Sequence, residues 1–389
     1  MPRRPDPLPR LLLLYGAMFA GFGAASPFLP SLLQERGLGP SGIGAVLAAG
    51  TGIRLLAGPA GCRAADRLGR RRGVLVLLLA AAAAVAPGYL LPGGAAVLMA
   101  VSVLHAAVLA ALMPLADAIS SGAAPGRYGW VRGAGSAAFI VGATAAGQAV
   151  AWAGLPSILW LNGGLLALAA LAALRAPDPG EAPVPAARQG GMLDLLRLPG
   201  FVRLMAVAAL VQGSHALHDG FEVLRWTEAG IGPQTAGLLW SEAVLAEVVV
   251  FTLIGPPLLA RIGPRGAALL AASAGIVRWG TTALTAAVPA MALVEPLHGL
   301  TFALLHLAVI GMLGRIVPPH LAATAQAAYG TVAVGAVAAV LTLASGPLYG
   351  AFGPGAFWAM AALCALAMPV ALGLRPPATV PAYANDSSL

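Results

Sequence analysis

The ten residues from Arg63 to Arg72 (RAADRLGRRR) pack more charge than any other stretch, and they lie between two long apolar segments. A weaker copy, Leu259 to Gly266 (LARIGPRG), occupies the same setting in the second half. Basic turns between apolar segments mark the cytoplasmic ends of membrane helices. The pattern predicts a chain that weaves through a bilayer, with these turns inside and a second half that repeats the plan of the first.

Composition supports this reading. Hydrophobic residues make up 59% of 389 residues and charged ones only 9%. A soluble protein carries roughly a quarter charged residues, so the surplus apolar surface here must face lipid. An isoelectric point near 10.5 would suit nucleic acid, but the arginines sit mostly in every second turn. Anionic headgroups of the bilayer are the better partner for them, and no nucleic acid is expected. Cys62 and Cys364 lie in or beside apolar segments at opposite ends of the chain and give no disulfide framework.

A bilayer core of about 30 Å needs about 20 apolar residues in a helix. Twelve segments qualify: 11–33, 42–61, 73–92, 95–119, 128–153 and 155–174, then 200–225, 234–259, 266–286, 288–314, 321–349 and 354–374. The first follows Arg3, Arg4 and Arg10 as a signal peptide would, but its length and the many later spans favour a retained helix. The runs lack the alternation of a β-barrel. With the N-terminus inside, the inner set holds Arg3, Arg4, Arg10, the 63–72 cluster, Arg127, Arg175, Arg188, Arg197, Arg261, Arg265, Arg315 and Arg375. The outer turns hold only Arg36 and Arg225. The expected fold is an all-α polytopic membrane protein with both termini cytoplasmic, in the inner (plasma) membrane.

A proline-rich stretch near the middle divides the chain into a six-helix bundle over 1–175, a cytoplasmic linker over 176–199, a second six-helix bundle over 200–375 and a disordered cytoplasmic tail over 376–389. The two bundles align. Pro40 and Pro233 open equivalent segments, with Gly44 and Gly237 four residues on and Arg54 and Glu247 fourteen on. Arg67-Leu68-Gly69 and Arg261-Ile262-Gly263 follow. A pseudo-symmetric pair of bundles is a recurrent transporter plan, with its site at the midplane between them.

The Asp66-Arg67-Leu68-Gly69-Arg70-Arg71-Arg72 turn resembles the loop two–three signature of the major facilitator superfamily, with Cys62 where that signature has a glycine. Ser26-Pro27-Phe28-Leu29-Pro30, Pro114-Leu115-Ala116-Asp117-Ala118, Tyr128-Gly129-x-x-Arg132-x-x-Gly135-Ser136, Gln212-Gly213-Ser214-His215 and Val277-Arg278-Trp279-Gly280 narrow it. They resemble the phenylpropionate permease group, which is related to lactose permease. The resemblance covers essentially the whole chain. It implies a proton-coupled importer of small aromatic carboxylates, nucleosides or sugars that works by alternating access. It also implies that Asp66, Arg67, Gly69, Arg70 and Arg71 clamp an inner gate.

Each ionisable side chain inside the bilayer costs about 2.5–3.5 kcal/mol on insertion scales, so each one needs either a structural partner or a function. Arg54, near mid-bilayer, suits a carboxylate that it can grip with two parallel hydrogen bonds. Glu247, its counterpart, can change protonation near neutral pH in an apolar site. Asp117 and Arg132 are expected to meet across adjacent helices. His215, Asp219 and Glu222 share a helical face, which must meet a cavity or another helix; for Glu222, near the outer end, solvation is the alternative. Glu295 and His298 also share a face. By resemblance, His298 and Arg278 fall at a coupling histidine and an arginine, whereas Thr301 stands where lactose permease has its key acid.

The candidate substrate residues are therefore Arg54, Asp117, Arg132, His215, Arg278 and His298. The candidate proton carriers are Glu247, Asp219 and Glu295. For every one of them a purely structural ion pair is the competing reading. Only one Glu-x-x-His motif is present, which falls short of a dimetal bundle, and neither metal nor cofactor is expected. No nucleotide or catalytic motif is found, so no enzyme is expected. The expected function is uptake of a small organic anion driven by protons, by a monomer. An exporter of the same class and a non-transporting scaffold or sensor of the same fold are the alternatives.

Overall fold

The computed structural model describes residues 6–177 and 191–374. The expected tail over 376–389, Arg3, Arg4, Arg188, Arg375 and most of the expected linker fall outside them. The part of that linker that is described contains a short helix, Met192–Leu196.

The described residues form twelve spans. They begin with α1 (Leu8–Ala25, continued by Leu29–Glu35), α2 (Pro40–Leu68), α3 (Arg71–Val85, ending in the 3-10 turn Ala86–Leu90) and α4 (Gly94–Leu109 and Leu112–Ala123). Next come α5 (Tyr128–Ala153), α6 (Ser157–Leu174) and α7 (Phe201–Gly213 and Ala216–Glu228). Then follow α8 (Pro233–Val249, extended through the π-helical turn Val250–Ile254) and α9, which meet within the run Gly255–Leu284. The last are α10 (Val288–Val294 to Leu305–Ile316), α11 (Ala322–Ala327 to Val337–Phe352) and α12 (Phe357–Leu372).

Among the described residues, nine helices are long and apolar enough to cross a membrane. Two of the nine are double, Pro233–Leu284 and Thr324–Leu372. The first turns back at Gly263 (φ 68°, ψ 172°) and the second at Gly353 (φ 52°, ψ −132°), conformations that side chains rarely adopt. The remaining span, α7, is broken at Ser214 and His215 into two helices of 13 residues each, too short singly to cross a membrane. Gly69 ends α2 with φ 60°, as Gly263 ends α8. The two halves thus repeat a turn as well as a motif. Arg63 and Arg67 belong to the last turns of α2 and not to a loop, because Ala, Arg and Leu favour helix until Gly69 stops it.

Three large cores organise the packing. One draws only on residues 11–176, including Leu14, Leu79, Leu115 and Leu166. A second draws only on residues 195–374, including Phe201, Leu305, Met312 and Tyr329. Both lie toward the arginine-rich end. The third joins the halves at the far end, where Leu33, Ile43, Tyr89 and Ile158 pack with Phe221, Trp226, Trp240 and Tyr349. Bare backbone makes the closest approaches there. A Cβ on Gly44 of α2 would lie 2.9 Å from the Cα of Gly346 on α11. A Cβ on Gly237 of α8 would lie 2.9 Å from the Ala143 carbonyl oxygen of α5. The far end is shut, while toward the arginine-rich end each half keeps its own core.

Candidate functional site

The charged centre of the second half is built on α7, α8, α9 and α10. Arg278 of α9 is fully buried. Its Nη2 donates to Glu295 Oε2 at 2.6 Å and lies 3.1 Å from His218 Nε2, and its Nη1 lies 3.1 Å from His298 Nδ1. Its guanidinium also stacks over Trp279 at 4.5 Å. Three neighbours in fixed directions suit a planar fork of donors. Arg278 is therefore committed to the wall of the site, with its charge matched by Glu295.

His218 is the second hub. It stacks on Trp240 with ring centroids 4.8 Å apart, and its Nδ1 lies 3.1 Å from Asp219 Oδ1. Its Nε2 lies 3.3 Å from Glu295 Oε2, so one tautomer accepts from Arg278 and the other donates to Glu295. His215 is held by the Gln212 carbonyl oxygen and by Thr301 Oγ1, each at 2.9 Å. The break in α7 at Ser214 aims these rings: Ser214 Oγ donates to the Val211 carbonyl oxygen and accepts from Trp279 Nε1 at 2.8 Å. Beyond His298, Glu247 of α8 places Oε2 3.5 Å from Nε2.

Asp219 shows where water reaches. Its side chain is 64% exposed, yet residues 211–218 and 220–226 around it are all buried. A helix lying against lipid exposes a stripe of several residues, since positions three and four apart share a face. A single exposed carboxylate in a buried helix lines a crevice inside the bundle. Glu247, 26% exposed, and His298, 16% exposed, border it.

The first half contributes fewer contacts. Arg54 is exposed and, among the described residues, makes no hydrogen bond or ion pair. It lies on the face of α2 that Gly50 and Gly58 press against α4, whose Ala106 and Ala110 they meet. Tyr89 and His105 are its electrostatic neighbours. Asp117 and Arg132, expected to pair, do not pair in this conformation. Asp117 accepts from Tyr15 Oη at 2.5 Å, whereas Arg132 sits over the Phe19 ring at 5.1 Å and donates to Met113 Sδ at 3.5 Å. α1 thus intervenes between them. Arg132 and Glu247 interact electrostatically across the two halves.

At the arginine-rich end, Asp66 accepts from Arg71 Nε at 2.8 Å, bridging the turn that Gly69 makes between α2 and α3. Arg72 donates to the Ala176 carbonyl oxygen at 3.1 Å. Asp6 forms a two-point ion pair with Arg127 at 2.7 and 2.8 Å, tying the start of α1 to the start of α5.

The sequence did not single out His218 as a hub, and of the two readings for Glu222 the solvated one fails, since the residue is fully buried. The signal was present: His218 and Glu222 are four residues apart on α7 and face Arg278 and Glu295, whereas Asp219 turns to the crevice.

A sequence profile of the MFS_1 like family matches residues 8–360. A protein of Escherichia coli (strain K12) described as a probable 3-phenylpropionic acid transporter is 33% identical, with the match covering 92% of this chain and 95% of that one. The maltose permease of Geobacillus stearothermophilus is 27% identical, with 91% of each chain covered. Among solved structures, a mutant of the nucleoside transporter NupG superposes with a TM-score of 0.84 at 16% identity, covering 95% of this chain and all of that one.

Proposed function

Because this chain belongs to the MFS_1 like family of multi-pass membrane transporters, we propose that it imports a small organic acid together with protons by alternating access. The aromatic carboxylate named for its Escherichia coli relative is the favoured substrate class. The observation that carries the reading is the exposed Asp219 within a buried helix, which supports an aqueous crevice with a titratable group in it. Arg54, exposed and without a hydrogen bond or ion pair among the described residues, is the group to receive the substrate carboxylate, and Arg132 is the second cation on that side. Arg278 holds Glu295, His218 and His298 in place instead of contacting the substrate. Asp219 and Glu247, at the water's edge, take up and release the proton.

The two halves act as the moving bodies, with the Asp66–Arg71 turn on the cytoplasmic face. The far-end core is then the closed outer gate, and the crevice opens inward.

Uptake of radiolabelled 3-phenylpropionate into proteoliposomes under an inward proton gradient tests this. Gradient-dependent accumulation that collapses in Arg54→Gln is expected. Accumulation that ignores the gradient, or an Arg54→Gln variant with wild-type uptake, overturns it.

A further inference from the structure

Glu222 has no exposed surface, and neither of its carboxyl oxygens has a hydrogen-bond partner among the described residues. Its neighbour one turn back, Asp219, stands in water. One helix therefore holds a carboxyl group in the crevice and another sealed inside the far-end core, between Phe221 and Val223.

Among the described residues, none of the groups around Glu222 bonds to it. On its own helix, His218 is turned to Asp219, Glu295 and Arg278, and Arg225 leaves its Nε without a partner. Arg278 of α9 is taken by Glu295 of α10, the second carboxylate in range; Glu295 repels a charge on Glu222, while His218, Arg278 and Arg225 attract one from a distance without bonding to it. On α11, Tyr349 donates to Glu228 at 2.8 Å and not to Glu222. The outer part of α1 and α2 contribute the apolar Leu33 and Leu47 to this core, and α8 contributes Trp240.

An ionised carboxylate accepts about four hydrogen bonds. Leaving all of them unmade in a dry interior costs far more than holding a proton. Had Glu222 been ionised, Arg225 one turn away would be its natural partner, and that pair is not formed.

We propose that Glu222 is a proton-binding site of the far end, occupied while that end is packed shut. The step balances simply: when the end opens, the carboxyl O–H bond breaks, the proton passes to water and the carboxylate left behind pairs with Arg225. Closing the end requires a proton from the outer side to return to that oxygen. The site deepens the proton-coupled reading and rests on it for its physiological meaning: acid outside favours closure over bound substrate. Occupancy by the proton is a property of the resting protein and is tested without transport.

The test is infrared spectroscopy of the purified full chain at pH 7 in H2O and D2O, comparing wild type with Glu222→Gln and Glu222→Leu. A neutral carboxylic acid has a C=O stretch well separated from that of a carboxylate, and it moves on deuteration. The expected result is such a band in the wild type that is lost in both variants, with thermal midpoints close to wild type because each replaces a neutral group. If one variant fails to express, the other still reads the band. Absence of the band from the wild type, or its survival in a variant, overturns the proposal. A band that disappears as expected from a protein that moves no substrate supports the site and counts against the uptake reading alone.

Discussion

Glu247 of α8 and His298 of α10 face each other across 3.5 Å at the border of the crevice, each partly open to water. His298 in turn reaches Arg278, so the pair joins the crevice to the buried hub. Glu247→Gln keeps the shape and removes the charge. Accumulation driven by a proton gradient is expected to fall to the level seen without a gradient, because an amide cannot take up and release a proton as a carboxylate does. The alkalinisation that accompanies substrate entry should vanish with it. Unchanged alkalinisation in a lightly buffered vesicle suspension, read by a pH electrode, would count against Glu247 as the carrier.

The Arg278–Glu295 pair has no exposure on either side. Removing one member of such a pair strands the other charge in a dry interior, at a cost of about 3–5 kcal/mol. Arg278→Leu should therefore lower the thermal midpoint sharply, and Arg278→Lys should not rescue it, since a point charge cannot serve Glu295, His218 and His298 in their three directions. The double variant Arg278→Met with Glu295→Leu should recover much of the loss. Differential scanning fluorimetry in detergent reads all three.

What could be read in the sequence was what repeats. The basic turns, the Pro40/Pro233 and Gly44/Gly237 register and the left-handed Gly69 and Gly263 all fall where local chemistry dictates them. Arg54 and Glu247 stood out because a charge in an apolar run needs a reason. What stayed hidden depended on which side of a helix meets water. His215, Asp219 and Glu222 share a helical stripe by spacing alone, yet the break at Ser214 and the packing of α9 and α10 send Asp219 to the crevice and Glu222 into the core. Asp117 and Arg132 were paired by proximity in sequence, but Tyr15, 102 residues from Asp117, takes its place.

The Asp6–Arg127 pair carries a pH prediction. Both groups lie outside the spans, and the Arg127 side-chain hydrogen bond holds the Asp6 carboxyl below its usual range. A carboxyl whose folded value is depressed contributes stability above its unfolded value and loses it as pH falls through the folded one. The tie between the starts of α1 and α5 should thus hold through neutral pH and weaken only in strong acid. Both side chains are nearly half exposed, so the contribution is small and screened by salt. Asp6→Asn should match wild type in thermal midpoint at high salt. A large deficit there would show that the pair anchors more than the two helix starts.

Closure of the far end rests on bare backbone in two symmetric places. A Cβ on Gly44 would meet Gly346 N and Cα at 2.9 Å and the Thr342 carbonyl oxygen at 3.0 Å; one on Gly237 would meet the Ala143 carbonyl oxygen at 2.9 Å and Gly147 Cα at 3.3 Å. These are main-chain atoms and cannot swing aside, so a larger residue must push α2 from α11, or α8 from α5. Overpacking of this kind costs about 1–3 kcal/mol, enough to tip a two-state gate by about 5–150-fold. Gly44→Val and Gly237→Val should therefore hold the far end open. Leu33, fully buried in the far-end core, gives the readout as Leu33→Cys in a background lacking Cys62 and Cys364. Its labelling by a membrane-impermeant maleimide should rise about tenfold with either valine, and it should not rise with Gly164→Val, where an added Cβ meets nothing within 4 Å. Equal labelling in all three would mean that the glycines only save space and do not set the gate.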